Sequence, residues 1–118
     1  MLKTITIVPT ILADNEALYR TQVEKCNTIA RRIQIDVTDG VFAPSTTIGL
    51  DKIWWPTTWE TDLHYMAARP SEQIDTIIKL HPSLCILHAE ADEDLMPVFR
   101  QLKDAGIKTG VALLRTTF

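Results

Sequence analysis

The sequence predicts a parallel α/β sheet. Three observations carry that expectation. Strand-like segments rich in β-branched residues alternate with segments of helical periodicity. The strand-like segments begin near residues 4, 32, 61, 83 and 108, so they recur every 22 to 29 residues, the length of a strand and its crossover. Residues 83–89, Ser-Leu-Cys-Ile-Leu-His-Ala, are almost continuously apolar, as befits a strand covered on both faces.

The elements follow in order. Residues 4–12, Thr-Ile-Thr-Ile-Val-Pro-Thr-Ile-Leu, predict a first strand with Pro9 near its end, since proline cannot donate to a ladder. Asp14 is the expected cap of a helix over about 15–29, with Leu18, Val23, Cys26, Ile29 and Ala30 as its apolar face. Residues 32–37 alternate Ile33, Ile35 and Val37 with Arg32, Gln34 and Asp36, a half-buried strand. Asp39-Gly40 is a turn pair and Pro44 a further break. Residues 48–55 predict a short, weak helix ending before Pro56. Residues 61–66 predict the third strand. A helix then runs from Arg69-Pro70 to about Leu80, with Ile74, Ile77 and Ile78 on one face. After the fourth strand, residues 92–105 predict a helix closed by Gly106. Residues 107–114 predict a fifth strand.

Composition narrows the function classes. Fifteen acids against twelve bases give a net charge of −3, which offers no basic footprint for nucleic acid. No apolar run approaches the roughly 18 residues of a membrane span, and the first residues, Met1 to Thr4, lead into no signal-peptide pattern. Cys26 and Cys85 lack metal or redox spacing and read as small hydrophobes, so a cytoplasmic setting is expected. The length of 118 residues allows one domain.

Two architectures suit this order. One is part of a (β/α)8 barrel, whose full length is about 250 residues. The other is a small flavodoxin-like doubly wound sheet of five strands. Both place chemistry at the C-terminal ends of strands. Those positions hold Thr10, Gln34, Asp36, Asp62, His64, His88 and Glu90. Gln34 and Asp36 share one face of their strand, as Asp62 and His64 share one of theirs. A carboxylate and an imidazole on adjacent strand tips are able to hold one divalent metal ion.

These residues resemble a family pattern. The segments Val8-Pro9-Thr10-Ile11-Leu12 and Gln34-Ile35-Asp36-Val37-Thr38-Asp39-Gly40-Val41-Phe42-Ala43-Pro44 are similar to signatures of the ribulose-phosphate 3-epimerases. So are Thr47-Ile48-Gly49, Asp62-Leu63-His64-Tyr65-Met66, His88-Ala89-Glu90-Ala91 and Gly110-Val111-Ala112-Leu113. The resemblance covers the whole chain and implies the N-terminal half of a barrel, with residues 1–118 forming four βα units and a fifth strand as one domain.

The resemblance also implies an isomerase of carbohydrate metabolism. Such enzymes interconvert ribulose 5-phosphate and xylulose 5-phosphate by moving a proton at C3 through a planar enediolate. A divalent metal (zinc, iron or manganese) acts as Lewis acid and two aspartates work from opposite faces. Carried over, Asp36 is a catalytic aspartate and metal ligand, His64 is a metal ligand, Thr10 stands where the family has a substrate-side serine, and Met66 forms part of the apolar wall. Gln34 replaces a metal-binding histidine, a poorer ligand for zinc. Thr38 replaces a methionine. The second aspartate and the phosphate-binding loops belong to the seventh and eighth strands, beyond these residues.

Other readings fare worse. A receiver domain needs a phosphate-accepting aspartate and a lysine where His64 and Arg115 stand. The orotidylate decarboxylase pattern, Asp-x-Lys-x-x-Asp, finds no lysine in Asp36-Val37-Thr38-Asp39. A half-barrel that folds and self-associates through open sheet edges without turnover, for instance as a homodimer, is the alternative function. His88 is expected to be structural, His81 exposed, Asp39 a turn carboxylate, Asp62 a buried hydrogen-bonded group, and Trp54, Trp55 and Trp59 packing residues.

Overall fold

The computed structural model describes residues 4–117; Met1 to Lys3 and Phe118, at the ends of the expected domain, lie outside the described residues. Five parallel strands form one sheet: β1 (Thr10–Ile11), β2 (Arg32–Thr38), β3 (Glu60–Met66), β4 (Leu84–His88) and β5 (Lys108–Ala112). Three helices connect them: α1 (Glu16–Asn27), α2 (Ile74–Leu80, led in by a 3-10 turn over Pro70–Gln73) and α3 (Met96–Asp104). The strand order is β1-β2-β3-β4-β5, the sequence order itself. A flavodoxin-like sheet runs 2-1-3-4-5, so that alternative is set aside. A sheet that adds each strand beside the last is a partial barrel.

The pleat sorts the side chains. Ile33, Ile35 and Val37 of β2, Leu63 and Tyr65 of β3, and Cys85 and Leu87 of β4 are all at most 5% exposed. They share the sheet face that the helices cover, where Tyr19 and Val23 of α1, Ile77 of α2, and Val98 and Leu102 of α3 complete the core. Burial pushes the Cys85 thiol up to about 12, so it behaves as a small hydrophobe. Thr61, on the same face, has the one buried side-chain polar atom without a partner among the described residues. The opposite face carries the alternate residues, among them Gln34, Asp36, Asp62, His64 and Ile86.

Five expectations need correction. The first strand is two residues long, not nine: only Thr10 and Ile11 pair, with Gln34 and Ile35, and Pro9 extends the contact through its carbonyl, which accepts from Gln34 N at 2.9 Å. Ile5 and Ile7 are 86% and 80% exposed. Proline has no N–H for the ladder, and β1 has a neighbour on one side only. The cap of α1 is Asn15, whose Oδ1 accepts from Leu18 N at 2.8 Å, while Asp14 accepts from the Asn15 side-chain amide. The buried face of α1 is Tyr19, Val23 and Cys26; Leu18 and Ile29 are exposed. Finally, residues 48–55 form a turn rather than a helix, with Lys52 N donating to Gly49 O, so there are three βα units and one helix-free crossover. The last helix is also shorter than expected, starting at Met96, with Gly106 after its end at φ +83°.

That helix-free crossover is tied to α1. The Tyr19 hydroxyl donates to Trp54 O at 2.5 Å and accepts from Trp54 N at 3.2 Å, and the two rings meet edge-on at 6.0 Å. Burial, opposed by the hydrogen bond from the Trp54 N–H, pushes the phenol up to about 12. Trp59 is buried and donates through Nε1 to Asn27 Oδ1 at 2.9 Å. Trp55 is partly buried against the core. The tryptophans therefore pack as the sequence suggests, apart from the half-exposed Trp54.

Candidate active site

Asp36 and His64 sit at one register position on β2 and β3, on the open face, near the C-terminal ends of the strands. Their side chains meet: His64 Nδ1 lies 3.2 Å from Asp36 Oδ1, and both side chains are 18% exposed. Gln34, two residues earlier on the same face, donates Nε2 to the same Oδ1 at 2.8 Å. The pairing of Asp36 with Gln34 follows from the two-residue period of a strand. Its pairing with His64 follows from the register that sets β2 against β3.

The cluster continues across the sheet. His64 Nε2 is 2.8 Å from His88 Nε2, and His88 Nδ1 is 3.3 Å from Glu90 Oε1. The other oxygen of Glu90 accepts from Leu114 N at 3.1 Å and from the Thr117 hydroxyl. That hydroxyl above all, with burial opposing and Leu114 N adding to it, holds the Glu90 carboxyl below the usual range. Phe42, from the β2–β3 crossover, packs on the His88 ring at 4.8 Å.

The other expected residues are placed less directly. Thr10 pairs with Gln34 in register and Met66 with Thr38, so both stand on the open face at strand ends; neither makes a side-chain hydrogen bond to the cluster. Thr38 is buried, and its hydroxyl accepts from Gly40 N. Asp62, on the same face nearer the other end of the sheet, pairs with Arg32 at 2.9 and 3.2 Å and takes no part. Asp39 accepts from Val41 N, Phe42 N and Ala68 N, each at 2.9 Å. Burial opposes its ionisation, but those backbone donors outweigh it and hold the carboxyl below the ordinary range. It is a turn residue, as expected. His81 is exposed and caps α2 at φ +54°.

His88 and Glu90 stand among the strand-end residues of the sequence, His88 expected there as structural. The signal for their part in the cluster was present: His88 and Glu90 are two apart at a strand end, the spacing that also unites Gln34 with Asp36. The apolar run of β4 hid it. A cavity of about 420 Å³ lies away from the cluster, between the β2–β3 crossover and Val37 and Tyr65 on the helix-covered face. The polar cluster is on the open face.

No three His, Cys, Asp or Glu side chains among the described residues are grouped to hold a metal ion. Two such donors are present in Asp36 and His64, and Gln34 offers a third of a different kind. Atoms 2.8 and 3.2 Å from Asp36 Oδ1 have about the spacing of ligands on one cation with bonds of about 2.0–2.2 Å. The Gln34 amide, turned over, presents its oxygen there. The set fits part of a metal site, with the remaining donors to come from elsewhere.

A parallel sheet in sequence order, with polar side chains converging at the strand ends of its open face, defines part of a (β/α)8 barrel. The model of the ribulose-phosphate 3 epimerase family matches residues 6–118, and the chain belongs to that family. It is 33% identical over 115 residues to ribulose-phosphate 3-epimerase of Bacillus subtilis, covering 92% of this chain and 52% of that one. It is 29% identical over 121 residues to the Treponema pallidum enzyme of that name, covering 99% and 56%. The chloroplastic ribulose-5-phosphate-3-epimerase of Arabidopsis thaliana is 31% identical over 115 residues, covering 92% and 41%. The chain thus spans about half the length of the curated relatives it matches.

Proposed function

We propose that this chain carries the N-terminal half of an epimerase site that interconverts ribulose 5-phosphate and xylulose 5-phosphate at C3. The observation that carries the reading is the meeting of Asp36 and His64 at one register position, 3.2 Å apart. Asp36 is the base that takes the C3 proton of the pentose phosphate. The proton is acidic because C3 adjoins the substrate carbonyl. Asp36, His64 and Gln34 hold a divalent metal ion, zinc, iron or manganese. When bound, the metal supplies a Lewis acid that polarises the carbonyl. Thr10 and Met66 line the substrate, the first with a hydroxyl and the second with an apolar wall. The acid for the opposite face and the phosphate anchor come from the half of the barrel that these residues do not include. The five strands alone therefore do not turn over substrate. No helix among the described residues is long and apolar enough to cross a membrane, and a cytoplasmic setting suits a pentose phosphate substrate.

Calorimetric titration with zinc tests the metal pair. One site of roughly micromolar affinity is expected, lost in Asp36→Ala and His64→Ala and kept in the exposed His81→Ala. Equal affinity in all four proteins rejects the assignment.

A second reading has its own support. Each edge strand, β1 and β5, has one partner. Val111 and Leu113 are 59% and 47% exposed on or beside β5, and Ile5 and Ile7 precede β1. Unpaired edges with apolar side chains favour pairing with a second copy, β5 of one chain against β1 of the other. Sedimentation velocity at micromolar concentration is expected to show a dimer or larger species; a clean monomer counts against it.

A further inference from the structure

The contacts from Glu90 to Asp36 form a directed chain. An ionised carboxylate only accepts hydrogen bonds, and the Leu114 N–H and the Thr117 hydroxyl both point at the far oxygen of Glu90. The near oxygen, 3.3 Å from His88 Nδ1, has no other donor among the described residues, whereas Asp36 Oδ1 already accepts from Gln34 Nε2, so the proton goes to His88 Nδ1 rather than to His64 Nδ1. A neutral imidazole has one N–H and one lone pair. His88 Nε2 is then the lone pair, and it accepts from His64 Nε2–H across 2.8 Å. The direction is thus handed on from one ring to the next. It leaves the lone pair of His64 Nδ1 facing Asp36 Oδ1 at 3.2 Å, two acceptors turned toward each other. Such a pair is stabilised by a cation placed between them.

We propose that Glu90, acting through His88, is the positioning residue that sets the tautomer of His64 and turns its Nδ1 lone pair toward Asp36. The proposal rests on the reading of Asp36 and His64 as metal ligands only for its consequence, not for the tautomer itself. Metal-binding histidines ordinarily have the second ring nitrogen fixed by a hydrogen-bond partner, and loss of such a partner weakens metal binding about 10–100-fold. Here the partner is a second imidazole with a carboxylate behind it. The carboxylate is anchored by residues that follow β5, so the site depends on a segment outside the three strands that form it. Phe42 covers His88 and keeps its ring from turning away.

Glu90→Gln tests this without changing shape. The fixed N–H of Leu114 needs an acceptor, so the new amide gives it the oxygen and presents its NH2 to His88 Nδ1. The relay reverses: His88 now carries its proton on Nε2, and His64 Nε2 becomes the acceptor. Long-range proton–nitrogen spectra of the 118-residue chain at mildly alkaline pH read each nitrogen directly. The expected result is a wild-type His88 protonated on Nδ1 and bare on Nε2, with the opposite pattern in Glu90→Gln. Zinc affinity is expected to fall about 10–100-fold in the variant. A wild-type His88 protonated on Nε2, or one pattern in both proteins, overturns the proposal, and the first of these is read without the variant. A wild type that shows the expected nitrogens but binds no zinc refutes the metal assignment of Asp36 and His64 and leaves the relay standing.

Discussion

Purified alone and supplied with zinc, the 118-residue chain is expected to convert no ribulose 5-phosphate above the blank in a coupled assay. The reason is chemical rather than a matter of stability. Inverting a carbon next to a carbonyl needs a proton removed from one face and returned on the other. The sheet places Asp36 at the strand ends of its open face, and the resemblance to the epimerases assigns the second aspartate to a seventh strand. A positioned general acid or base is worth about 10²–10⁴-fold. Loss of the phosphate anchor removes further binding energy that would hold the carbon against Asp36. Together these losses place the rate at least about 10⁴-fold below that of a complete epimerase. Supplying the C-terminal half of such a barrel is expected to raise the rate, and Asp36→Asn in that mixture to abolish the gain. Turnover by the chain alone within about 100-fold of a full-length relative would show that these residues hold a complete site.

The largest single loss of stability is expected at Leu63. It lies at the centre of the middle strand, fully buried, between Ile35 of β2 and Cys85 of β4 in register. Leu63→Ala removes three buried heavy atoms and leaves a cavity where the helices meet the sheet, at a cost of about 2–5 kcal/mol. Domains of this size hold only about 5–15 kcal/mol in total. With an m-value of about 2 kcal/mol/M, the urea midpoint is expected to fall by about 1–2.5 M. Leu84→Ala, on the half-buried open face of β4, is expected to cost less than half as much. Equal costs at the two sites would show that the open face is buried in solution, as it would be in a closed assembly of two copies.

The strands with strict alternation were legible at once, because Ile33, Ile35 and Val37 alternate with polar residues and burial follows. The motif residues Asp36 and His64 were legible as a pair, since each lies near the end of its strand. What the sequence left open was register. Nothing local in Ser83–Ala89 tells which β4 residue stands beside His64; the register sets Ile86 there and brings His88 in from one step further on. The first strand was overread because Thr4–Leu12 has strand composition, whereas pairing requires a neighbour and an N–H that Pro9 lacks. The expected helix over 48–55 failed for a tertiary reason: the Tyr19 hydroxyl of α1 engages the backbone N–H and carbonyl of Trp54 in place of helical hydrogen bonds.

The order β1-β2-β3-β4-β5 bears on how the chain acquires its shape. Each strand pairs with its predecessor, so every pairing closes a loop of similar, moderate length. Loop-closure entropy rises only with the logarithm of that length. Growth of the sheet is therefore stepwise, as in a solenoid, with each unit templated by the one before. Closing a full barrel adds one event of another kind, the meeting of the first strand with the last across the whole chain. The pairing of β2 with β3 that brings Asp36 and His64 together closes over residues 39–59 and requires no such long-range meeting.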